Sequence, residues 1–232
     1  YIQGELKYSS SWSMPDIKAE VSDFSNLNQF NRKLLQLSDL RKPITSDIVS
    51  IKVYDGELIT DKVIFSNHDS FDNFESDLDR DILKIIYLNR YENKPPQIAF
   101  IHGIGLKKGA FASSISHDSH NIIAVGTNDK DIAFAVEQLI SQGGGIVLAN
   151  EQKVVDSMPF VVGGIMTDQT GEWVNEHLTR VHENARKCLG ISGEVEPIMT
   201  LCFMSLPVIP ALKLTDMGLF DVTTFAFTSI EA

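Results

Sequence analysis

The sequence has little of what marks secreted and membrane-bound proteins. Its 232 residues include two cysteines, Cys188 and Cys202, each in an apolar setting. We interpret both as buried free thiols of a cytoplasmic protein, with a disulfide or a shared metal ion as the less favoured alternatives. No run of about 18 apolar residues is present, which argues against a membrane-spanning helix. The first residues also lack a basic segment followed by an apolar one, so we expect no secretion signal there.

Positive charge is also scarce. Lysine and arginine together number 20 against 31 aspartates and glutamates, a formal net charge of −11. A surface of this sign repels phosphate backbones, and no cluster of basic residues offsets it, so nucleic acid is not an expected partner. The chain also lacks an initiator methionine and starts within a strand-like phrase, YIQGELKYSS. We therefore expect it to be part of a longer polypeptide.

The hydrophobic pattern predicts a globular domain that combines strands with helices. Hydrophobic residues make up 43% of the chain and charged residues 22%, which is enough apolar material for a buried core. Apolar residues recur with helical spacing in residues 127–145 and 172–190, and also in residues 25–37. β-rich runs fill most of the rest, two of them flanking residues 55–57 as in a hairpin. This order predicts an α+β or mixed α/β fold, a β-sheet with packed helices.

A polar cluster separates two strand-like apolar runs in the segment SISHDSHNIIAVGTND, residues 114–129. The cluster consists of His117, Asp118, Ser119 and His120 in succession. Imidazole and carboxylate groups ligate metals and transfer protons near neutral pH. The cluster is therefore a candidate functional site.

The residue types leave four interpretations of the cluster open. Two imidazoles and a carboxylate suit zinc, manganese or iron, but one loop supplies too few ligands, and no HxH, HExxH or CxxC motif accompanies it. A serine–histidine–aspartate nucleophile system needs its members to meet in space, and immediate chain neighbours rarely do so. Alternatively, the loop reaches into a cleft formed mainly by other residues. In the fourth interpretation Asp118 and Ser119 only make a turn, and the histidines bond backbone groups.

Three long segments carry a more specific signal than this cluster. They are GLKKGAFASSISHDSHNIIAVGTNDKDI (residues 105–132), GGGIVLANEQKVVDSMPFVVGGIMTD (residues 143–168) and EPIMTLCFMSLPVIPALKLTDMGLFDV (residues 196–222). All three closely resemble segments of bacterial and archaeal adenine deaminases and occur in the same order. With the strands before them, they extend the resemblance over nearly the whole chain. The part resembled is the carboxy-terminal region of those enzymes.

The resemblance implies an activity and a division of the chain. Adenine deaminases are amidohydrolases that convert adenine to hypoxanthine and ammonia, with a divalent metal, manganese or iron, in a (β/α) barrel. Such a barrel takes about 250 residues, and its HxH motif is not in this sequence, so the chain is expected to follow an absent barrel. Residues 1–15 are expected to end a small β domain or form a linker, and residues 16–232 to form the carboxy-terminal domain.

The resemblance also implies partners. These are adenine, the amino-terminal barrel of the same enzyme and further copies of the chain in a homo-oligomer. No cofactor and no metal ligand is implied for this chain itself. We expect that the chain alone is inactive, because the metal-binding motifs of the barrel are absent from its sequence.

The same resemblance implies roles for the polar cluster. His117, Asp118, Ser119 and His120 are the expected catalytic residues, which would line or brace the purine pocket and serve substrate orientation or proton transfer rather than metal ligation. The expected substrate-binding residues are Ser116, Asn121 and Met166. A non-catalytic domain that stabilises the barrel or holds an oligomer together is the alternative.

The chain departs from the family pattern in two loops. Tyr91 stands where many relatives have histidine, and Pro95 and Pro96 follow in place of glycines. In VVGGIMTD, Gly164 and Ile165 replace the more usual alanine and leucine. These departures leave the His-Asp-Ser-His segment intact.

Overall fold

The computed structural model describes residues 33–191 and 196–232, together with residues 27, 30 and 31. The expected domain boundary at residue 15 and the strand-like phrase at residues 1–10 lie outside these residues.

Most regular structure in the described chain is β-structure. The strands are β1 (Ile48–Lys52), β2 (Asp61–Phe65), β3 (Ser76–Asp77), β4 (Ile82–Leu88), β5 (Gln97–His102), β6 (Ala110–Ser113), β7 (Ile122–Gly126), β8 (Gly145–Asn150), β9 (Lys153–Pro159), β10 (Leu212–Thr215), β11 (Gly218–Asp221) and β12 (Ala226–Phe227). The helices are α1 (Asp129–Ser141), α2 (Gly171–Leu189) and α3 (Pro197–Cys202). Two 3-10 turns cover Leu37–Leu40 and Phe203–Ser205. Within the described ranges, none of the helices has the length and apolar character to cross a membrane.

Nine of the strands form one mixed sheet. Eight of them follow the order β2-β1-β5-β4-β7-β6-β8-β9, and β3 pairs with β4. Neighbours are antiparallel except β1 and β5, which run parallel. β10, β11 and β12 form a second, antiparallel sheet. The prediction of an α+β domain with a sheet and packed helices is confirmed.

The large sheet is covered on both faces. Ala110 and Ala112 of β6 belong to the apolar layer that packs against α1. Phe111, between them, belongs to the opposite layer, which includes residues of α2, α3 and the small sheet. Because side chains alternate along a strand, every residue of β4, β6 and β7 is buried. Two-sided burial explains why these strands read as continuous apolar runs in the sequence.

Both long helices begin at side-chain caps. Asn128 caps α1 by accepting a hydrogen bond from the backbone N–H of Asp131, and Thr170 caps α2 through Trp173 N–H. α2 ends at Gly190, whose φ of +75° is a conformation that glycine adopts without strain. The helical spacing read from the sequence is confirmed for these two segments.

The helix predicted at residues 25–37 is wrong at residues 33–36. The stretch from Lys33 to the 3-10 turn at Leu37 belongs to no helix. Leu37 stays exposed, and it is Leu40 that enters the core. A long-range hydrogen bond also competes for this backbone, because Lys33 N–H donates to Asn93 Oδ1 at 3.1 Å. Apolar spacing alone could not show that Leu34 and Leu37 would stay exposed while Phe30 and Leu35 pack against the core.

The two cysteines are free thiols, as predicted. Cys202 in α3 is buried, as predicted, whereas Cys188 in α2 is half-buried instead of buried. Burial raises the pKa of the Cys202 thiol to about 12. A thiol that remains protonated at neutral pH is a poor nucleophile.

Lys213 is a buried lysine without a carboxylate partner among the described residues. It lies on β10 with no exposed surface, and its Nζ donates to the carbonyl of Leu58 at 2.9 Å. Burial lowers the pKa of Lys213 from 10.5 to about 8. The unfolded chain therefore binds more protons than the folded one between about pH 8 and 10.5, so this group makes the free energy of unfolding rise with pH across that window.

We expect Lys213→Met to be more stable than the parent at pH 7 by about 1–3 kcal/mol, because each pKa unit corresponds to about 1.4 kcal/mol and one hydrogen bond is lost in exchange. The difference should shrink as the pH rises towards 10.5. Urea unfolding from pH 7 to 10 measures it, with Lys153→Met at an exposed position as the control. An identical pH slope for Lys213→Met and the parent would contradict the assignment.

Candidate functional site

The polar cluster lies in the loop between β6 and β7, residues 114–121, which we call the site loop. Backbone hydrogen bonds hold it in place. His117 N–H donates to the carbonyl of Cys202 at 2.9 Å, and Ser205 Oγ donates to the carbonyl of His117 at 3.0 Å. Within the loop, His120 N–H donates to the carbonyl of Ser116 at 2.6 Å. The end of α3 and the turn after it therefore fix the path of the site loop.

Four hydroxyl groups form a continuous chain beside the site loop. Ser116 Oγ, which is buried, contacts Ser205 Oγ and donates to Tyr87 Oη at 3.3 Å. Tyr87 Oη in turn shares a short hydrogen bond with Ser119 Oγ. Each of the four hydroxyls thus has a polar partner within the chain, and Ser205 donates in addition to the His117 carbonyl. They also tie the site loop to β4 and to the turn after α3.

His117 and Asp118 contact each other instead of the core. The His117 Nδ1 atom pairs with the Asp118 Oδ1 atom, and their side chains are 49% and 73% exposed. The His117 ring also lies 5.2 Å from the ring of Phe203, centroid to centroid. A carboxylate on Nδ1 orients the imidazole and leaves Nε2 to face other groups. Ser119 bonds to Tyr87, so the structure does not assemble a serine–histidine–aspartate system within the loop.

His120 and Asn121 are held by Arg90. His120 is half-buried and has a φ of +53°, a region that few residues other than glycine adopt. Its carbonyl accepts a hydrogen bond from Arg90 Nη1 at 3.4 Å. Asn121 is buried, and its Oδ1 accepts from the Arg90 N–H at 3.1 Å. The unusual backbone at His120 is thus maintained by partners from the end of β4.

Arg90 also joins the site loop to the loop after β9. Its Nη2 donates to the carbonyl of Gly163 at 2.6 Å, and its guanidinium stacks 4.4 Å from the ring centre of Phe30. Burial lowers the pKa of Arg90. A Cβ atom on Gly164 would lie 2.9 Å from Arg90 Nη1, and the φ of Gly164 is +74°. This close approach gives a physical reason for glycine, instead of alanine, at that position.

Met166 belongs to this second loop. Its carbonyl accepts a hydrogen bond from Val162 N–H, which closes a short turn, and its side chain is exposed. The carbonyl of Gly164, in the same turn, accepts from Ser114 Oγ at 2.5 Å. Met166 is therefore linked to the site loop through its backbone neighbours.

A cavity of about 500 Å³ opens beside the site loop. We call it the tail groove, because most of its wall comes from residues after α3. Its apolar wall consists of Leu206, Pro207, Val208, Met217, Phe220, Phe225 and Phe227. Its polar wall consists of Tyr87, Asp118, Ser119, Ser205, Thr215 and Asp216. Asp118 and Ser119 thus face an open, mostly apolar space.

The structure brings most of the predicted site residues together, with different surroundings. Asp118 and Ser119 line the tail groove, whereas His117, His120 and Met166 do not. The other two predicted residues, Ser116 and Asn121, are buried, and their side chains make the hydrogen bonds described above.

Three residues that organise the site were not predicted from the sequence: Tyr87, Arg90 and Ser205. Tyr87 lies near the end of the apolar strand β4 and Arg90 just after it, and a polar group at a strand end is the one local signal that pointed to them. Nothing around Ser205 in the sequence marked it, since its partners lie 88 and 89 positions away.

The described residues do not form a metal centre. Among residues 33–191 and 196–232, no three His, Cys, Asp or Glu side chains are grouped so that they could hold an ion. In the site loop, the Nδ1 atom of His117 is already paired with Asp118. His117, Asp118 and His120 of the site loop therefore do not form such a group.

Comparison with known proteins gives one consistent family. The family model described as "Adenine deaminase C-terminal domain" matches residues 57–226. The chain is 46% identical over 236 residues to "Adenine deaminase 2" of Desulfotalea psychrophila, covering 100% of the chain and 41% of that protein. It is 45% identical over 214 residues to "Adenine deaminase" of Methanosarcina barkeri, covering 88% of the chain and 38% of that protein. It is 35% identical over 235 residues to "Adenine deaminase" of Bacillus pumilus, covering 100% of the chain and 41% of that protein. The chain spans about two fifths of the length of these curated relatives.

Proposed function

Because the chain belongs to the adenine deaminase C-terminal domain family, we propose that it is the carboxy-terminal part of an enzyme that hydrolyses adenine to hypoxanthine and ammonia. The relatives that it matches bear the name adenine deaminase. The observation that carries a role in the reaction is the contrast within the site loop. Its backbone is fixed by α3 and Arg90, while the imidazole of His117 and the carboxylate of Asp118 project outwards.

In this proposal the exposed His117–Asp118 pair transfers a proton. Hydrolysis adds water to the carbon that bears the amino group, and the amino nitrogen must gain a proton before it leaves as ammonia. An imidazole oriented through Nδ1 can deliver that proton from Nε2. Ser119 and His120 complete the catalytic group, with Ser119 held by Tyr87 at the wall of the tail groove.

Ser116, Asn121 and Met166 serve substrate binding in the same proposal. Met166 has an exposed thioether, which suits contact with the face of a planar purine. Ser116 and Asn121 are engaged with Tyr87 and Arg90, so they shape the pocket through the site loop. In the same proposal the divalent metal, manganese or iron, is held by the amino-terminal barrel.

A scaffold is the second candidate function. The observation that favours it is the exposed apolar wall of the tail groove, because such surfaces occur at interfaces. In this alternative the domain stabilises the barrel or a homo-oligomer, and the site loop takes no part in the reaction. Histidine variants distinguish the two candidates, as described in the Discussion.

The proposed function is tested with a full-length chimera. In it, this chain replaces the segment of the Desulfotalea psychrophila relative that it matches. We expect the metal-loaded chimera to release ammonia from adenine and the 232-residue chain alone to release none above the uncatalysed rate. The relative without its matching residues is the control. Turnover by the 232-residue chain alone, or equal turnover by the chimera and that control, would show that the proposal is wrong.

A further inference from the structure

The tail groove presents large apolar side chains to solvent. Val208, Met217 and Phe225 are 74%, 73% and 79% exposed, and all three line the same cavity. Single exposed apolar residues are ordinary on protein surfaces. Several exposed apolar residues around one concave surface mark a surface that binds another molecule or another part of the same protein.

Phe225 adds evidence that is independent of exposure. Its φ is +54°, in the left-handed region that is unfavourable for a bulky side chain. Its ring meets the ring of Phe220 edge to face, with centroids 5.3 Å apart, and otherwise projects into solvent. Phe225 is the last residue of the turn between β11 and β12, where a left-handed residue closes a hairpin. The turn places an aromatic ring at the rim of the groove, where a partner can contact it.

We propose that the tail groove docks the part of the full-length enzyme that this chain does not match, and that this part inserts apolar side chains into the groove. The inference rests on the proposed function. The matched relatives are more than twice as long as the chain, so each contains a further large segment. Asp118 and Ser119 line the groove, so whatever docks there lies next to the site loop.

The groove also specifies the chemistry of its partner. A cavity of about 500 Å³ accommodates a few apolar or aromatic side chains, the usual anchors of an interface. Asp118 and Asp216 place carboxylates in its wall. The docked surface should therefore be apolar at its centre and carry cationic or N–H groups opposite these two residues.

Peroxide oxidation of methionines tests this docking without a mutation. Met217 lines the groove, whereas Met199 on α3 is 52% exposed and lies outside it. We expect Met217 to be oxidised about tenfold more slowly in the chimera than in the 232-residue chain, because a packed interface excludes solvent. The oxidation rate of Met199 should stay the same in both proteins. Equal rates for Met217 in the two proteins would overturn the docking.

A variant sharpens the test. Val208→Asp puts a charge into the docked groove and should return Met217 oxidation in the chimera to the rate of the free chain. Val154→Asp, at an exposed position of β9 outside the groove, is the matched control and should leave Met217 protected. Two further results would assign a different occupant and overturn the inference. If Met217 in the free chain becomes more protected as the protein concentration rises, a second copy of the chain occupies the groove. If adenine protects Met217 in the free chain, adenine occupies it.

Adenine turnover by the same chimera separates this inference from the proposed function. A chimera that protects Met217 but does not deaminate adenine supports the docking and contradicts the proposed function. A chimera that deaminates adenine while Met217 stays reactive supports the proposed function and contradicts the docking.

Discussion

Replacing His117 with alanine in the chimera should lower kcat for adenine deamination about 100-fold, the usual scale for losing a positioned acid or base. The melting temperature should stay nearly unchanged. The side chain of His117 is half-exposed, and its ion partner Asp118 is more exposed still. Exposed ion pairs of this kind contribute little to stability, at most about 1 kcal/mol.

His120 needs a different substitution. Because its φ is +53°, alanine would add backbone strain to the loss of the imidazole. Asparagine tolerates the left-handed region and removes the titratable ring. We therefore expect His120→Asn to lower kcat by a factor similar to that of His117→Ala, again about 100-fold, with little change in melting temperature.

Both variants are measured for kcat and melting temperature on the same samples, with His68→Ala as the control. His68 is an exposed histidine in the loop between β2 and β3 and belongs to no part of the site. Its replacement should change neither quantity. The opposite result would be an unchanged kcat per folded molecule and a loss of about 1–3 kcal/mol of stability for His117→Ala, the cost of leaving buried partners unsatisfied. In that case the site loop has only a structural role. The scaffold function would then be the correct one.

Replacing Lys84 with methionine should lower the free energy of unfolding of the 232-residue chain by about 3–5 kcal/mol, because it leaves a buried charge without its partner. Lys84 is fully buried on β4, and its Nζ lies 2.5 Å from Asp129 Oδ1 at the start of α1. The same Nζ donates to the carbonyl of Leu40 at 2.8 Å. Burial lowers the pKa of Lys84, and the carboxylate of Asp129 opposes that shift.

The double variant Lys84→Met with Asp129→Asn provides the internal test. Removing both charges removes the desolvation penalty together with the attraction, so the double variant should recover much of the lost stability. Lys62→Met, at an exposed position of β2, is the matched control and should stay within about 0.5 kcal/mol of the parent. Urea unfolding measures all four proteins. A loss below about 1 kcal/mol for Lys84→Met, typical of a surface pair, would show that the buried pair does not hold α1 to the sheet.

The sequence by itself determined the elements that depend on local pattern. α1 and α2 follow from apolar spacing with a capping residue at Asn128 or Thr170, and β4, β6 and β7 follow from short apolar runs. Local pattern suffices there because each element buries the face that its sequence makes apolar. Family membership was also readable from three long segments, which the family model and the named relatives support. The cluster His117–His120 was found as a candidate site for the same reason, since four polar residues between two apolar runs are visible without a structure.

Only the tertiary structure decided what surrounds that cluster. The hydroxyl chain joins Tyr87, Ser116, Ser119 and Ser205, and its contacts span 29 to 89 positions in the sequence. Strand register brings these groups together: β4 pairs with β7, so the end of β4 that carries Tyr87 lies beside the site loop. The helix predicted at residues 25–37 was wrong at residues 33–36 for a related reason: Phe30 and Leu35 pack against the core layer of α1 without forming a helix there, whereas Leu34 and Leu37 stay exposed. The local spacing of apolar residues shows which side chains favour burial. The packing of strands that are distant in the sequence decides which of those side chains are buried and which polar groups contact one another.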